Sequence, residues 1–224
     1  HHPLRAHVRP PVLYGYWRSS AAYRVRIALN LKGIDYEQVP VHLVRGGGEQ
    51  HQPDYRTRNP QGLVPALEVG DTLITQSLAI IEYLEETGPP PALLPGDAPG
   101  RARVRSLAQI VACDVHPLQN LRVLQYLTGE LGVSDESRVG WVRHWIGLGL
   151  QAFEERLARS DATGRFCHGD EPGLADVCLV PQLYNAVRFD CDLAAWPTLG
   201  RINDACLALE AFRAAAPEAQ PDAA

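Results

Sequence analysis

Two short stretches put hydroxyl side chains where they could meet an anion. In "WRSSAAYRVRIAL" (17–29) Arg18, Ser19 and Ser20 head a segment of helical periodicity, and in "QSLAIIEYLEE" (76–86) Gln76 and Ser77 do the same. A helix N-terminus carries unpaired N–H groups and about half a positive charge, so it stabilises a nearby anion. A serine there can donate its O–H to that anion, or it can simply cap the helix, a contribution of about 1 kcal/mol. Residue types alone leave both readings open. Ala21 and Ala22 follow the first pair, so no protein thiol stands in those two places.

The cations are almost all arginine, the better fork for carboxylates, and Lys32 is the sole lysine. Besides Arg18, "HPLQNLRVLQYL" (116–127) offers His116, Asn120 and Arg122, and "NAVRFDCDL" (185–193) offers Arg188. A net charge of −5 argues against nucleic acid as the main partner. The five cysteines (113, 167, 178, 191, 206) form no CxxC pair and read as reduced, mostly buried thiols. His144 and His168 lack partners at ligand spacing, so no metal is expected. No apolar run approaches the ~20 residues that span a bilayer, and no signal-peptide pattern is seen, so no membrane association and a cytoplasmic location are expected.

These residues need elements to hold them. The leading "HHPLRAHVRPP" is polar and proline-rich and is set aside. From Val12 the chain reads strand ("VLYGYW"), helix (20–32, stopped by Gly33) and an edge strand interrupted by Pro40. After the loop "RGGGEQHQPD", a hairpin turning at Gly70-Asp71 leads into a helix with Ile80, Ile81 and Leu84 on its apolar side. The order is βαβ then ββα. "TGPPPALLPGDAPG" can continue neither periodicity and marks a linker, beyond which the patterns are helical: a long segment through Gln125, then 136–159, 174–188 and about 198–213, with a frayed alanine-rich tail. The expected organisation is an α/β domain over 12–87, a linker over 88–100 and an all-α bundle over 101–216. Trp141, Trp145 and Phe153 read as a core stripe. Asp176 of "GLAD" reads as half of a capping box that Gly173 leaves incomplete, and Pro181 as a kink in its helix.

With "SSAAYRVRIAL", "VPAL", "QSLAIIEYLEE", "LADVCLVPQ" and "NAVRFDCDL" in this order, the chain from residue 12 onward resembles the cytosolic glutathione transferases, and among them the zeta class. The resemblance implies a thioredoxin-like βαβββα domain that binds glutathione, an all-α substrate domain and a homodimer. It implies that Ser19, ahead of Ser20, donates to the glutathione thiolate, and that Pro65 is held cis so that the Val64 backbone pairs with the tripeptide. Gln76 and Ser77 would take the γ-glutamyl carboxylate, and Gln50 the glycyl end.

The zeta class includes maleylacetoacetate and maleylpyruvate isomerases, whose substrates are small dicarboxylates. Their turnover implies cations at both ends of the substrate, here Arg18, Arg122 and Arg188, with His116 and Asn120 nearby. Many members read Ser-Ser-Cys where this chain has Ala21, so the resemblance implies that the glutathione sulfur itself is the nucleophile. The expected activity is glutathione-dependent conversion of maleylacetoacetate to fumarylacetoacetate in aromatic amino-acid breakdown. Maleylpyruvate isomerisation in gentisate breakdown, a general conjugating transferase and a noncatalytic binding module are the alternatives.

Overall fold

The computed structural model describes residues 9–224, so most of the leading segment lies outside the described residues. The chain forms two compact units, one comprising the residues up to Leu93 together with Ala208–Ala224, the other Leu94–Leu207.

The first unit is built on a four-stranded sheet of β1 (Val12–Gly15), β2 (Glu37–Pro40), β3 (Ala66–Val69) and β4 (Thr72–Thr75), in the order β2-β1-β3-β4. Helix α1 (Ser20–Leu31) makes the crossover that lets β1 and β2 run parallel, whereas β3 and β4 are a hairpin and pair antiparallel. Pro40 sits in the edge strand, where its missing N–H costs no ladder bond. α1 ends as the glycine signal requires: Gly33 adopts φ +63°, its N–H bonds to Asn30 O, and Ile34 N–H bonds back to Leu29 O. The stretch expected to be only a loop contains a helix, α2 (Pro53–Arg58), whose Pro53 at the first position is favourable but whose single buried residue, Tyr55, gives too short a pattern to detect. Helix α3 (Ser77–Thr87) buries Ile80, Ile81 and Leu84 as expected.

Lys32 is buried, and its ammonium meets Glu85 at 2.8 Å and the carbonyls of Pro89 and Pro91 at 3.2 and 3.0 Å. Glu85 also accepts from Leu93 N–H at 2.7 Å. The only lysine therefore ties the end of α3 to the proline-rich stretch that follows it.

The helical unit was expected to run to 216 with a frayed tail; instead, residues from Ala208 onward fold with the first unit. The buried guanidinium of Arg26 donates to Ala215 O (3.0 Å) and Trp17 O (3.1 Å), and Asn30 donates to Ala211 O (3.0 Å). Asp222 accepts from Trp17 N–H at 3.1 Å, and Gln220 holds the carbonyls of Ala214 and Ala216. Burial lowers the Arg26 pKa to about 10, so the side chain stays charged near neutrality. Alanine composition hides this anchoring because Arg26 and Asn30 are received by backbone carbonyls of the tail, which no side-chain pattern reports.

In the second unit the expected long first helix is interrupted. Helix α4 (Ala98–Gln109), capped by Asp97, passes into a wide turn over Ile110–Val115 and a tight one over His116–Gln119 before α5 (Leu121–Gly129) starts at its cap Asn120. Pro117 lacks the N–H that a continuous helix needs at that point. Helix α6 (Asp135–Ala158) passes so close to this break that a Cβ on Gly149 would lie 2.1 Å from Val115 Cγ2. Its core stripe is Val142, Ile146, Leu150, Phe153 and Leu157. Phe153 is in the core as expected, but Trp141 and Trp145 are only half-buried, one helical step off that stripe.

Helix α7 (Leu174–Arg188) contains Pro181, and Asp176 in its first turn accepts from Gly173 N–H and Cys167 N–H, both at 2.9 Å. The expected last helix is split into α8 (Pro197–Leu207) and the short α9 (Glu210–Arg213), which belongs to the first unit. Buried Glu154 caps α8 by accepting from Thr198 and Leu199 N–H. Cys167, Cys178 and Cys206 are buried, Cys191 is half-buried and Cys113 is exposed, all as free thiols. No helix among the described residues is long and apolar enough to cross a membrane.

Candidate active site

Sheet register gathers the first-unit candidates at one end. Gly15 pairs with Pro40, Tyr14 with Ala66, and Ala66 with Thr75. The loops carrying Arg18 to Ser20, Val64-Pro65 and Gln76-Ser77 therefore leave the sheet from the same end of its strands, and α1 and α3 both begin there.

Ser19 is the N-cap of α1, and its Oγ accepts from Ala22 N–H at 3.1 Å. A hydroxyl has one donor and two acceptor positions, so this cap leaves the Ser19 proton available to a ligand. Capping and anion binding are thus compatible at one oxygen. Ser20 lies in the first turn and is buried, whereas Ser19 is half-exposed. Arg18 is exposed and lies over the Trp17 ring, 4.5 Å from its centroid.

The start of α3 repeats the pattern. Ser77 is buried and its Oγ accepts from Arg24 Nη1 at 3.0 Å, again leaving a hydroxyl proton to donate. Gln76 holds φ +72°, a left-handed conformation that a non-glycine residue keeps only where its surroundings enforce it, commonly at a binding site. Its amide donates to Gln61 Oε1 at 2.8 Å.

The Val64-Pro65 peptide is cis, as expected, and directly precedes β3. Tyr55 Oη and Asn59 Nδ2 both donate to Leu63 O, which fixes this loop from behind. Burial pushes the Tyr55 phenol up to about 12, so it remains a donor through the neutral range. Gln50 is buried, with Nε2 on Leu43 O at 3.1 Å and with Oε1 lacking a partner among the described residues. That orphaned acceptor fits an N–H of a bound peptide. Glutathione, an anionic thiol-bearing tripeptide, matches this set: hydroxyls at two helix starts, the half-buried strand-entry residue Val64 and a buried amide acceptor.

In the second unit His116 lies half-buried in the tight turn, Asn120 caps α5 with Oδ1 on Leu121 N–H, and Arg122 projects exposed from the first turn of α5. Arg188 ends α7, exposed, with Nη1 3.4 Å from Asn185 Oδ1. A hydrogen bond of 2.9 Å from Asn185 Nδ2 to Gln119 Oε1 brings the 116–120 segment against the helix that carries Arg188. Sequence reasoning missed Arg24, Tyr55, Asn59, Gln119 and Asn185. Arg24 has buried Ile27 and Ala28 one turn on, but the partner that lets a guanidinium be buried there, Ser77, lies 53 residues away, and the others are amides and a phenol whose partners are backbone atoms or distant in sequence.

Residues 13–92 match the glutathione S-transferase N-terminal domain. The chain is 55% identical to a probable maleylacetoacetate isomerase of Vibrio cholerae, over 95% of this chain and 98% of the relative. Among solved structures, a holo maleylpyruvate isomerase described as a bacterial zeta-class glutathione S-transferase is 49% identical with a TM-score of 0.92, covering 95% of this chain and all (100%) of the other. The maleylacetoacetate isomerase of Methylobacterium extorquens AM1, solved with malonate and glutathione, gives the same identity of 49% and TM-score of 0.92 over 95% of this chain and 99% of its own. The chain belongs to the glutathione transferase family, in its zeta class of maleylacetoacetate and maleylpyruvate isomerases.

Proposed function

We propose that the protein is a glutathione-dependent cis-trans isomerase of a maleyl keto-acid, converting maleylacetoacetate to fumarylacetoacetate in tyrosine breakdown. The observation that carries this reading is the pair of serine hydroxyls at the starts of α1 and α3, each held by a protein N–H and each keeping its own proton. When bound, glutathione supplies a thiolate that adds reversibly to the cis alkene, allowing rotation before it leaves again.

The chain's own residues set the conditions for that chemistry. Ser19 donates to the sulfur, and the N-terminal dipole of α1 favours the thiolate, each pKa unit so gained being worth about 1.4 kcal/mol. Ser20, buried in the first turn, supports this helix start. Gln76 and Ser77 take the γ-glutamyl carboxylate at the start of α3, the Val64 backbone beside Pro65 pairs with the peptide, and Gln50 receives the glycyl end. Arg18, Arg122 and Arg188 hold the substrate carboxylates and the carbonyl oxygen that gains negative charge, assisted by His116 and Asn120. On this assignment the first unit binds glutathione and supplies Arg18 for the dicarboxylate, and the second supplies Arg122 and Arg188. A homodimer in the cytoplasm is the expected working form, by likeness to the family.

A second reading, isomerisation of maleylpyruvate, is favoured by the likeness to the holo maleylpyruvate isomerase. An ultraviolet assay of both maleyl substrates, with and without glutathione, tests the proposal. Turnover that requires glutathione while the free-thiol concentration stays constant is expected. Consumption of the thiol would show a conjugating transferase, and the absence of turnover with either substrate would leave a binding module.

A further inference from the structure

Three side-chain amides are buried between the His116–Gln119 turn and α7: Gln119, Gln182 and Asn185 are 5%, 1% and 9% exposed. They form one directed chain. Arg188 Nη1 donates to Asn185 Oδ1 (3.4 Å), Asn185 Nδ2 to Gln119 Oε1 (2.9 Å), and Gln119 Nε2 to Gln182 Oε1 (2.9 Å). A guanidinium has donors only, so it obliges Asn185 to turn its oxygen toward it. That choice sends Nδ2 to Gln119 and, in turn, Gln119 Nε2 to Gln182. All three amides therefore point their negative ends toward the cation, an alignment that strengthens each bond in a low-dielectric interior. The last donor, Gln182 Nε2, has no acceptor among the described residues. An amide cluster serving packing alone has no reason to orient itself from its Arg188 end and leave the far end unsatisfied.

We propose that Asn185 and Gln119 are positioning residues that hold the Arg188 guanidinium for the substrate carboxylate and set its spacing from the turn bearing His116 and Asn120. The inference rests on the reading of Arg188 as a carboxylate ligand. Arginine loses much rotamer freedom on binding, and a side chain already held by an acceptor three residues back loses less. Two bonds join α7 directly to the tight turn, Asn185 Nδ2 to Gln119 Oε1 and Gln119 Nε2 to Gln182 Oε1; the first is the one that starts from the residue holding Arg188, so its loss separates that residue from the turn.

Asn185→Leu and Gln119→Met replace each amide by an apolar group of similar shape. In each variant the KM for maleylpyruvate and the Kd for maleate, measured by calorimetry, are expected to rise about ten-fold, the size of effect that about one lost charge-assisted hydrogen bond gives. The KM for glutathione is expected to stay unchanged. In an Arg188→Ala background, adding either substitution changes the maleate Kd no further. An equal fold-loss in both backgrounds, or no loss in either single variant, overturns the positioning role alone. An unchanged maleate Kd in Arg188→Ala overturns the reading of Arg188 and this proposal with it. If Asn185→Leu does not fold, as judged by circular dichroism, Gln119→Met tests the other side of the same hydrogen bond.

Discussion

At the scale of single residues the question is what a hydroxyl does that a cap does not. Ser19 Oγ already accepts from Ala22 N–H, so Ser19→Ala removes both a cap and a donor. Loss of the cap lowers stability by about 1 kcal/mol. Loss of the donor is expected to lower kcat/KM about 10- to 100-fold at neutral pH and to move the rising limb of the pH-rate profile upward, because the bound thiol then ionises at higher pH. A profile that stays in place while only the melting temperature falls would leave Ser19 as a cap. The protein's own thiols offer no substitute nucleophile at α1. Burial pushes Cys167 and Cys206 far up, and Cys191 is raised for the same reason. Iodoacetamide on the folded protein, removed before glutathione is added, is expected to label Cys113 first and to leave turnover unchanged, as mass spectrometry and the ultraviolet assay would show.

At the scale of elements, stability hangs on a few polar side chains that join one element to the next. Lys32 and Glu85 are a buried pair whose remaining hydrogen bonds hold the segment after α3. Lys32→Met leaves the Glu85 carboxylate without its cation and is expected to cost about 3–5 kcal/mol in urea unfolding. Adding Glu85→Leu should recover most of that loss, since the uncompensated charge is then gone. A double variant as unstable as the single one would show that packing, not charge, sets the cost. Element types were legible along most of the chain because strand alternation, helical periodicity and punctuating glycines act locally. α2 and the break at 110–119 were not, being set by a single buried tyrosine in one case and by Pro117 and the close approach of Gly149 in the other.

For the whole molecule, the segment from Ala208 matters because it closes the unit to which the glutathione contacts are assigned in the proposed function. Its carbonyls receive Arg26 and Asn30, and Asp222 holds Trp17 N–H two residues before Ser19. A chain ending at Leu207 strands the Arg26 cation without its Ala215 acceptor, which is expected to cost about 3 kcal/mol or more. Urea unfolding should show that loss, together with a raised KM for glutathione, whereas an unchanged glutathione KM would show that the 16–19 loop holds its shape unaided.

By itself the sequence determined the βαβ–ββα order, the helical second half, the serines at the two helix starts and the absence of a thiol at Ala21, because each depends on neighbours within a turn or a strand. Only the tertiary structure decided that Arg24 and Arg26, two residues apart and so on different faces of α1, are both buried, Arg24 backing Ser77 and Arg26 gripping the tail. It alone brought the 116–120 turn onto α7 through Gln119 and Asn185. A buried polar group is specified by its partner, and these partners lie 53 to 189 residues away along the chain, beyond the reach of any local pattern.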